Sequence, residues 1–255
     1  MPQLGLAKCG GISIDTVSFE EVLRTVLRSV QQRTPLRIHT LNVDHTILAQ
    51  SSESFLHSIQ TAQLVVADGM PIVWILRLLG WRFAERITGA DLTIRILEQF
   101  AVKVAFVGGA HGVAERAKAH CETLGYSAKI VYTASPRRDE ILTAQGSHEL
   151  IAGINSSGPD VLFVAFGTPL QEEWLARYEA ELRVPVRIGV GAAIDFLAGE
   201  QQRAPVWVQR SGLEWLYRMS HDPARLVRRY ILRDWRFVSV AARWIIEARH
   251  DELDA

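Results

Sequence analysis

Polar residues that can bind or activate a small anionic substrate recur where apolar runs of the sequence end. Thr40 and Asn42 close one run, Asp68 follows another, and Gly167-Thr168 follows a third. In a parallel sheet, ligands bind beyond the carboxyl ends of the strands. A carboxylate there can act as a general base on a hydroxyl group, and glycine turns let phosphate groups approach backbone N–H groups. This pattern predicts a site for an anionic small molecule.

The elements that must position these residues alternate between strand and helix. The predicted strands are Leu36–Val43, Leu64–Ala67, Lys103–Val107, Lys129–Tyr132, Val161–Phe166 and Val186–Val190. Helices are predicted from the first strand through Leu56, from Pro71 onward, and from the Gly108–Gly112 turn through Leu124. The alternation predicts an α/β, Rossmann-like fold with a mostly parallel sheet and helices on both faces.

Composition and charge limit the class of protein. The 255 residues are 48% hydrophobic, enough for one domain or a domain with an appendage. Twenty-eight basic and 28 acidic side chains cancel, which argues against nucleic acid as a partner. The two cysteines, Cys9 and Cys121, have no metal-site spacing and favour a reducing cytosol. No signal peptide and no apolar run of about 20 residues is present, so we expect a soluble or membrane-surface protein.

The C-terminal part differs from the rest, so we expect an α/β core over residues 1–200 and a helical, arginine-rich appendage over 201–255. Ten arginines lie from Arg203 onward. With a helical period, Arg225, Arg229, Arg236 and Arg243 share one narrow sector, and Leu226, Tyr230, Phe237 and Trp244 share its neighbour. Such a helix suits anionic headgroups at a membrane surface. The alternative is a helix packed on the core with its arginines in solvent.

Each candidate polar residue also has a purely structural interpretation. Asp68 can be the N-cap of the following helix, and Asn42 can brace a turn. Arg86 can form a surface salt bridge of little energetic value, and Gln171 can cap the helix that starts at Pro169.

The glycine-rich turn at Gly108-Gly109 has two interpretations as well. It can bind the phosphates of a nucleotide, or it can be only a tight turn. No acidic residue follows the next predicted strand, which argues against the dinucleotide-binding fingerprint.

Seven motifs in order resemble one family. They are Thr40-Leu-Asn42, Ala67-Asp-Gly-Met-Pro71, Glu85-Arg-Ile-Thr-Gly89, Gly167-Thr-Pro-Leu-Gln-Glu172, Gly189-Val-Gly-Ala-Ala-Ile-Asp-Phe196, Arg203-Ala-Pro205 and Leu213-Glu-Trp-Leu-Tyr-Arg218. Together they are similar to the WecG/TagA/CpsF family of bacterial glycosyltransferases. The resemblance implies inverting transfer of N-acetylmannosamine, its uronic acid or glucose from a UDP-sugar to a polyprenyl-diphosphate-linked sugar. It also implies work on the inner face of the cell membrane, in teichoic acid or polysaccharide synthesis.

The resemblance also implies roles for individual residues. Asp68 matches the proposed catalytic base, and the residues that match pocket positions are Thr40, Asn42, Arg86 and Gln171. The turns at Gly108-Gly109 and Gly167 suit the nucleotide. Arg218, Arg225 and Arg228 match arginines thought to close over the diphosphate. Leu170 departs from the family, which often has lysine there.

The chain contains no Asp-x-Asp triplet, so the expected mechanism uses no metal and no cofactor. Arginines and helix N-termini can stabilise a leaving diphosphate instead. A homo-oligomer is possible. Two other classes remain as alternatives. One is a nicotinamide-dependent oxidoreductase, from fold analogy alone, and the other is a nucleic-acid-binding module that uses arginine and tryptophan side chains.

Overall fold

A six-stranded parallel sheet forms the centre of the protein. The computed structural model describes residues 5–201, 204–205, 208, 217 and 236–253. The strands are β3 (Leu36–Leu41), β4 (Leu64–Ala67), β5 (Lys103–Gly108), β6 (Lys129–Ala134), β7 (Val161–Ala165) and β8 (Val186–Gly189). Their order is β4-β3-β8-β7-β5-β6, and every pair is parallel. The predicted Rossmann-like fold is confirmed, and each predicted strand ends within two residues of the observed one.

Helices cover both faces because the strands bury side chains on both sides. The helices are α1 (Phe19–Gln32), α2 (Val43–Ala49), α3 (Glu53–Gln60), α4 (Met70–Leu78), α5 (Gly89–Gln99), α6 (Val113–Leu124), α7 (Arg138–Leu142), α8 (Ala144–Ser157), α9 (Leu170–Arg177), α10 (Ala193–Leu197) and, beyond the gap in the described residues, α11 (Phe237–Leu253). Helices α1, α5, α6 and α10 share a core with one face of the sheet. Helices α3, α4, α8 and α9 cover the opposite face.

Two local features differ from the sequence expectation. The single helix predicted through Leu56 is two helices, because the Ser52 hydroxyl accepts a hydrogen bond from Phe55 N–H (3.2 Å) and caps a new helix. An antiparallel hairpin of β1 (Leu6–Cys9) and β2 (Ile12–Asp15) precedes the sheet. Its Asp15 carboxylate accepts from Val65 N–H (2.8 Å) on edge strand β4, which attaches the hairpin to the sheet.

The chain diverges between neighbouring strands β5 and β7. After β5 it enters α6 on one face, and after β7 it enters α9 on the other. Gly108 lies at this point with φ +116°, and a Cβ there would be 2.5 Å from the Ala165 carbonyl, so only glycine fits. Gly109 N–H donates to Ala165 O (3.0 Å). Such a reversal of strand order opens a ligand crevice at the carboxyl ends of the strands.

Helix α11 packs against the hairpin and the α4 side of the core. Trp244 is 2% exposed and lies against Gly10 of the hairpin turn, with the Phe237 ring 6.3 Å away. The Arg243 guanidinium points outward to Gln50 Oε1 (2.8 Å). Phe237, Arg243 and Trp244 therefore match the alternative of a helix packed on the core, and not that of a helix whose apolar side faces lipid. The other residues of the predicted sectors, except Arg236, lie outside the described residues. In the part of the chain that the structure describes, no helix is long and apolar enough to cross a membrane.

Two arginines are buried side by side in the sheet. Arg37 of β3 and Arg187 of β8 are paired in register and only 2% and 1% exposed. Glu179 lies between them, 3.1 Å from Arg37 Nε and 3.6 Å from Arg187 Nη2. Burial lowers the pKa of both guanidinium groups, and the Glu179 carboxylate opposes that shift. This carboxylate therefore compensates two buried charges at once.

We expect Glu179→Ala to lower the free energy of unfolding by about 3 kcal/mol or more, because it leaves two buried cations without their shared carboxylate. Urea unfolding measures the change. Glu181→Ala is the matched control, since Glu181 makes an exposed pair with His148 (3.4 Å) worth less than about 1 kcal/mol. Equal losses in the two variants would contradict this interpretation.

Candidate active site

The residues after β3 and β4 come together at the carboxyl edge of the sheet. Asp68 N–H donates to Leu41 O (2.7 Å), which brings the ends of both strands into contact. Ile87 N–H donates to Ala67 O (2.8 Å), so Arg86 lies beside the end of β4. The structure therefore brings together Asn42, Asp68 and Arg86, which are 26 and 18 positions apart in sequence.

Asp68 is not the N-cap of α4. That position belongs to Gly69, whose φ is +109°, and no side chain caps the helix. Asp68 is partly exposed. N-capping, the structural alternative for this carboxylate, is therefore not what the chain adopts.

Asn42 does brace a turn. Its Oδ1 accepts from His45 N–H (3.1 Å) and caps α2. Its Nδ2 lies 3.2 Å from His45 Nε2. The orientation of this side chain is thus fixed by His45 on two sides.

Arg86 is held by the start of α5. Its Nη2 lies 3.4 Å from Asp91 Oδ2, and its side chain is only 18% exposed. Asp91 also accepts from the Thr88 hydroxyl (2.7 Å), while Thr88 caps the helix. The ion pair foreseen for Arg86 is present, but it is mostly buried and braced by a helix cap.

Gln171 is 3% exposed and joins the turns after β7 and β8. Its Oε1 accepts from Gly167 N–H (3.3 Å) and Gly191 N–H (3.2 Å). A Cβ at Gly189 would lie 2.9 Å from Gln171 Nε2, so a side chain at 189 would collide with this amide. Gln171 therefore lies beneath the edge of the sheet and fixes the turns above it.

A chain of buried polar side chains continues from Asn42 to Glu172. His45 Nδ1 lies 3.1 Å from His39 Nε2, and His45 Nε2 lies 2.9 Å from Thr168 Oγ1. Thr168 Oγ1 is 3.3 Å from Glu172 Oε1. The Thr168 hydroxyl donates to Glu172 Oε1, and the roles of the two His45 ring nitrogens depend on the tautomer of that side chain. Thr168 therefore links His45 to the Glu172 carboxyl group.

Two facts favour a neutral carboxyl group at Glu172. Glu172 Oε2 has no hydrogen-bond partner among the described residues, so ionisation would leave a charged oxygen without a donor. Burial raises the pKa of Glu172 from 4.5 to about 7, although Gln171 Nε2 donates to Oε1 (2.7 Å) and opposes the shift. Burial also lowers the pKa of His39 to about 3, aided by the Arg37 charge, so His39 is neutral.

The remaining sequence-predicted residues lie elsewhere or outside the description. Thr40 is buried and lines a small cavity with His39, Glu172 and Gly189. Gly108-Gly109 follows β5, four strands from Asp68, or about 19 Å at about 4.8 Å per strand. A site that includes both must be elongated along this edge. Arg218, Arg225 and Arg228 lie outside the described residues.

A model of the glycosyl transferase WecG/TagA/CpsF family matches residues 7–251. The chain belongs to this family of glycosyltransferases. A Bacillus spizizenii protein named N-acetylglucosaminyldiphosphoundecaprenol N-acetyl-beta-D-mannosaminyltransferase is 31% identical over 198 residues, which cover 74% of this chain and 72% of the relative. A Staphylococcus aureus protein of the same name is 27% identical over 230 residues, which cover 86% and 85%. Membership decides against the oxidoreductase and nucleic-acid alternatives.

Sequence reasoning about this glycosyltransferase missed the histidine–glutamate network. His39 and His45 have no recognisable spacing, since one is on a strand and the other on the next helix. Glu172 stands in the Gly167–Glu172 motif, but its role depends on burial, which the motif does not reveal. The one available signal was a run of polar residues at the start of a helix that follows a buried strand.

We expect Glu172→Gln to remove part of the pH dependence of stability. Because its folded pKa is raised, the stability that the Glu172 carboxyl group contributes is fully present below pH 4.5 and is lost as pH rises through about 7, by about 3 kcal/mol in all. Urea unfolding on either side of this interval measures the difference between wild type and variant.

Glu173→Gln is the neighbouring control, because Glu173 is less buried and accepts from the Ser54 hydroxyl (2.6 Å). It should keep the wild-type pH profile. A wild-type profile in Glu172→Gln would show that this carboxyl group does not titrate in the interval.

Proposed function

We propose that this glycosyltransferase moves a sugar from a UDP-sugar to a polyprenyl-diphosphate-linked sugar with inversion at the anomeric carbon. The first pair to test is UDP-N-acetylmannosamine with an N-acetylglucosamine-diphosphate lipid, because two relatives are named for that transfer. The observation that carries the proposal is the gathering of Asp68, Asn42 and Arg86 at the strand ends in a chain of this family.

Asp68 is the general base in this mechanism. Its carboxylate takes the proton from the acceptor hydroxyl as that oxygen attacks the anomeric carbon. The bond from this carbon to the UDP oxygen breaks on the opposite side, which inverts the centre in a single displacement. A positioned base typically contributes about 10² to 10⁴ in rate. Its partly exposed position at the end of β4 gives the acceptor access.

The neighbouring residues orient the substrates. Asn42 and Arg86 flank Asp68, and both are braced, by His45 and Asp91 respectively. Gln171 and Thr40 act from below, since both are buried.

The turns at Gly167 and Gly108-Gly109 are proposed to hold the nucleotide. Gly108-Gly109 leads toward α6 at the point where the chain diverges, and Gly167 follows β7, so both turns lie at the carboxyl edge of the sheet. The distance from Asp68 to β5 suits an extended donor whose sugar lies at Asp68.

The departing diphosphate is stabilised by arginines without a metal in this proposal. The support is the lack of an Asp-x-Asp triplet and the arginine-rich 201–255 appendage, which carries Arg218, Arg225 and Arg228. We place the enzyme at the inner face of the cell membrane, where a lipid-linked acceptor is accessible, with the appendage closing over the site.

Asp68→Asn should lower UDP release about 10²-fold or more while the protein stays folded. The assay offers a panel of UDP-sugars and the lipid-linked acceptor, and it compares release with and without acceptor. Asp139→Asn, an exposed carboxylate on α7, is the control and should keep wild-type activity. No acceptor-dependent release from folded wild-type protein with any donor would refute the proposed reaction.

Turnover should be insensitive to EDTA, because the proposed mechanism uses no metal. Arg225→Ala should lower turnover about tenfold or more, because it removes a positive charge that stabilises the leaving diphosphate. Arg138→Ala on α7 is the control for loss of a surface arginine. Steady-state kinetics with chelator and with each variant separate the two claims. Inactivation by EDTA with recovery on adding a divalent cation would contradict metal independence.

A further inference from the structure

Helix α4 and the turn after it expose large apolar side chains. Trp74 is 53% exposed and Leu78, one helical turn later, is 70% exposed. Phe83 follows α4 and is 63% exposed. Core packing does not require these side chains, because Ile72, Val73, Ile75 and Leu76 of α4 already fill the interior. Adjacent exposed apolar side chains of this size usually mark a binding surface.

Within the segment that carries these side chains, residues 69–84, both charged residues are basic. Residues 69–84 include Arg77 and Arg82 but no acidic residue. The Arg77 guanidinium donates to Ala84 O (3.0 Å), and Ala84 is the residue that follows Phe83. Glu85 comes next, and its carboxylate accepts from Phe19 N–H (2.8 Å) at the start of α1. The exposed tryptophan, phenylalanine, leucine and arginine side chains are those that settle at a membrane–water interface.

The hairpin extends this surface. Gly5 lies against the Trp81 ring, and the next residue, Leu6, is 50% exposed. Lys8 is exposed on the same strand, two residues on, and so lies on the same side of it as Leu6. The extension therefore adds one apolar and one basic side chain.

The surface is also close to the proposed catalytic base. Helix α4 begins at Met70, two residues after Asp68. Trp74 and Leu78 lie about 6 and 12 Å along the helix axis from Met70, at about 1.5 Å per residue. A membrane in contact with them would therefore lie near the entrance to Asp68.

We propose that Trp74, Leu78 and Phe83, with Arg77 and Arg82, dock on an anionic lipid bilayer and bring Asp68 to a lipid-linked acceptor. The second part rests on the proposed function, whereas the docking does not. A second copy of the chain fits less well, because a two-fold contact through this surface would bring the arginines of both copies together. Phe237 and Trp244 of α11, which the sequence pattern assigns to lipid, pack inside instead.

The test is flotation of the full chain with vesicles that contain phosphatidylglycerol. Changing Trp74, Leu78 and Phe83 together to Ser should lower the partition coefficient about tenfold or more. The matched control changes Leu124 and Leu142 to Ser, since these are 50% and 61% exposed on α6 and α7. It should bind as wild type does. Equal circular dichroism and thermal midpoints confirm that both variants are folded.

A charge arm tests the preference for anionic lipid. Arg82→Gln should weaken binding to phosphatidylglycerol vesicles and leave binding to pure phosphatidylcholine unchanged. Arg138→Gln on α7 is the control and should change neither. Wild-type partition by the serine variant overturns the proposal. If the serine variant has a lower oligomeric mass than wild type but binds vesicles equally well, the proposal is also overturned, in favour of an interface between copies of the chain.

Activity separates docking from chemistry. The serine variant should transfer sugar normally to a water-soluble short-chain acceptor and lose transfer to a long-chain acceptor in vesicles. Equal loss on both acceptors would overturn the role of the surface in acceptor delivery. Wild-type protein that docks through this surface but transfers sugar to neither acceptor would refute the proposed function and leave docking standing.

Discussion

Buried polar groups between the sheet and α9 fix the geometry on which the site depends. Arg37, Arg187 and Glu179 form one cluster, and the chain from His39 to Glu172 forms the next along β3. An unpaired polar group in such a place costs about 1–3 kcal/mol, and an unpaired charge more. Each partner must therefore hold its position, and β3, β7, β8 and α9 cannot shift against one another without breaking several contacts.

These buried polar clusters form a rigid layer, the floor of the site, beneath the carboxyl edge of the sheet. Gln171 connects the floor to the turns after β7 and β8, and Asn42 connects it to the turn after β3. Asp68 follows β4 directly and is partly exposed. The proposed mechanism needs this difference, since a general base must exchange its proton while the groups that orient substrates must not move.

Helices α11 and α4 differ in how completely their apolar side chains are buried. Helix α11 places Val240 and Trp244 against the hairpin and leaves its arginine outside, so its apolar sector completes the core. Helix α4 has more apolar residues than its position can bury, because only one of its sides faces the sheet. The surplus, Trp74 and Leu78, remains at the surface beside two arginines. The hydrophobicity of a side chain does not by itself decide whether it is buried. The side of each helix that faces the core decides it.

The sequence by itself determined the six strands and their parallel arrangement, since continuous apolar runs separated by helices are typical of a sheet covered on both faces, but it did not determine the order of the strands. It also predicted that Asn42 and Asp68 lie close together, because carboxyl ends of parallel strands share one edge, whereas Arg86 was placed with them only by the family motif. Tertiary structure decided the rest. It paired His45 with residues 123 and 127 positions away, Thr168 and Glu172, and it buried Trp244 while exposing Trp74. Protonation and exposure depend on which neighbours exclude water from a side chain, and those neighbours come from remote parts of the chain that no local pattern specifies.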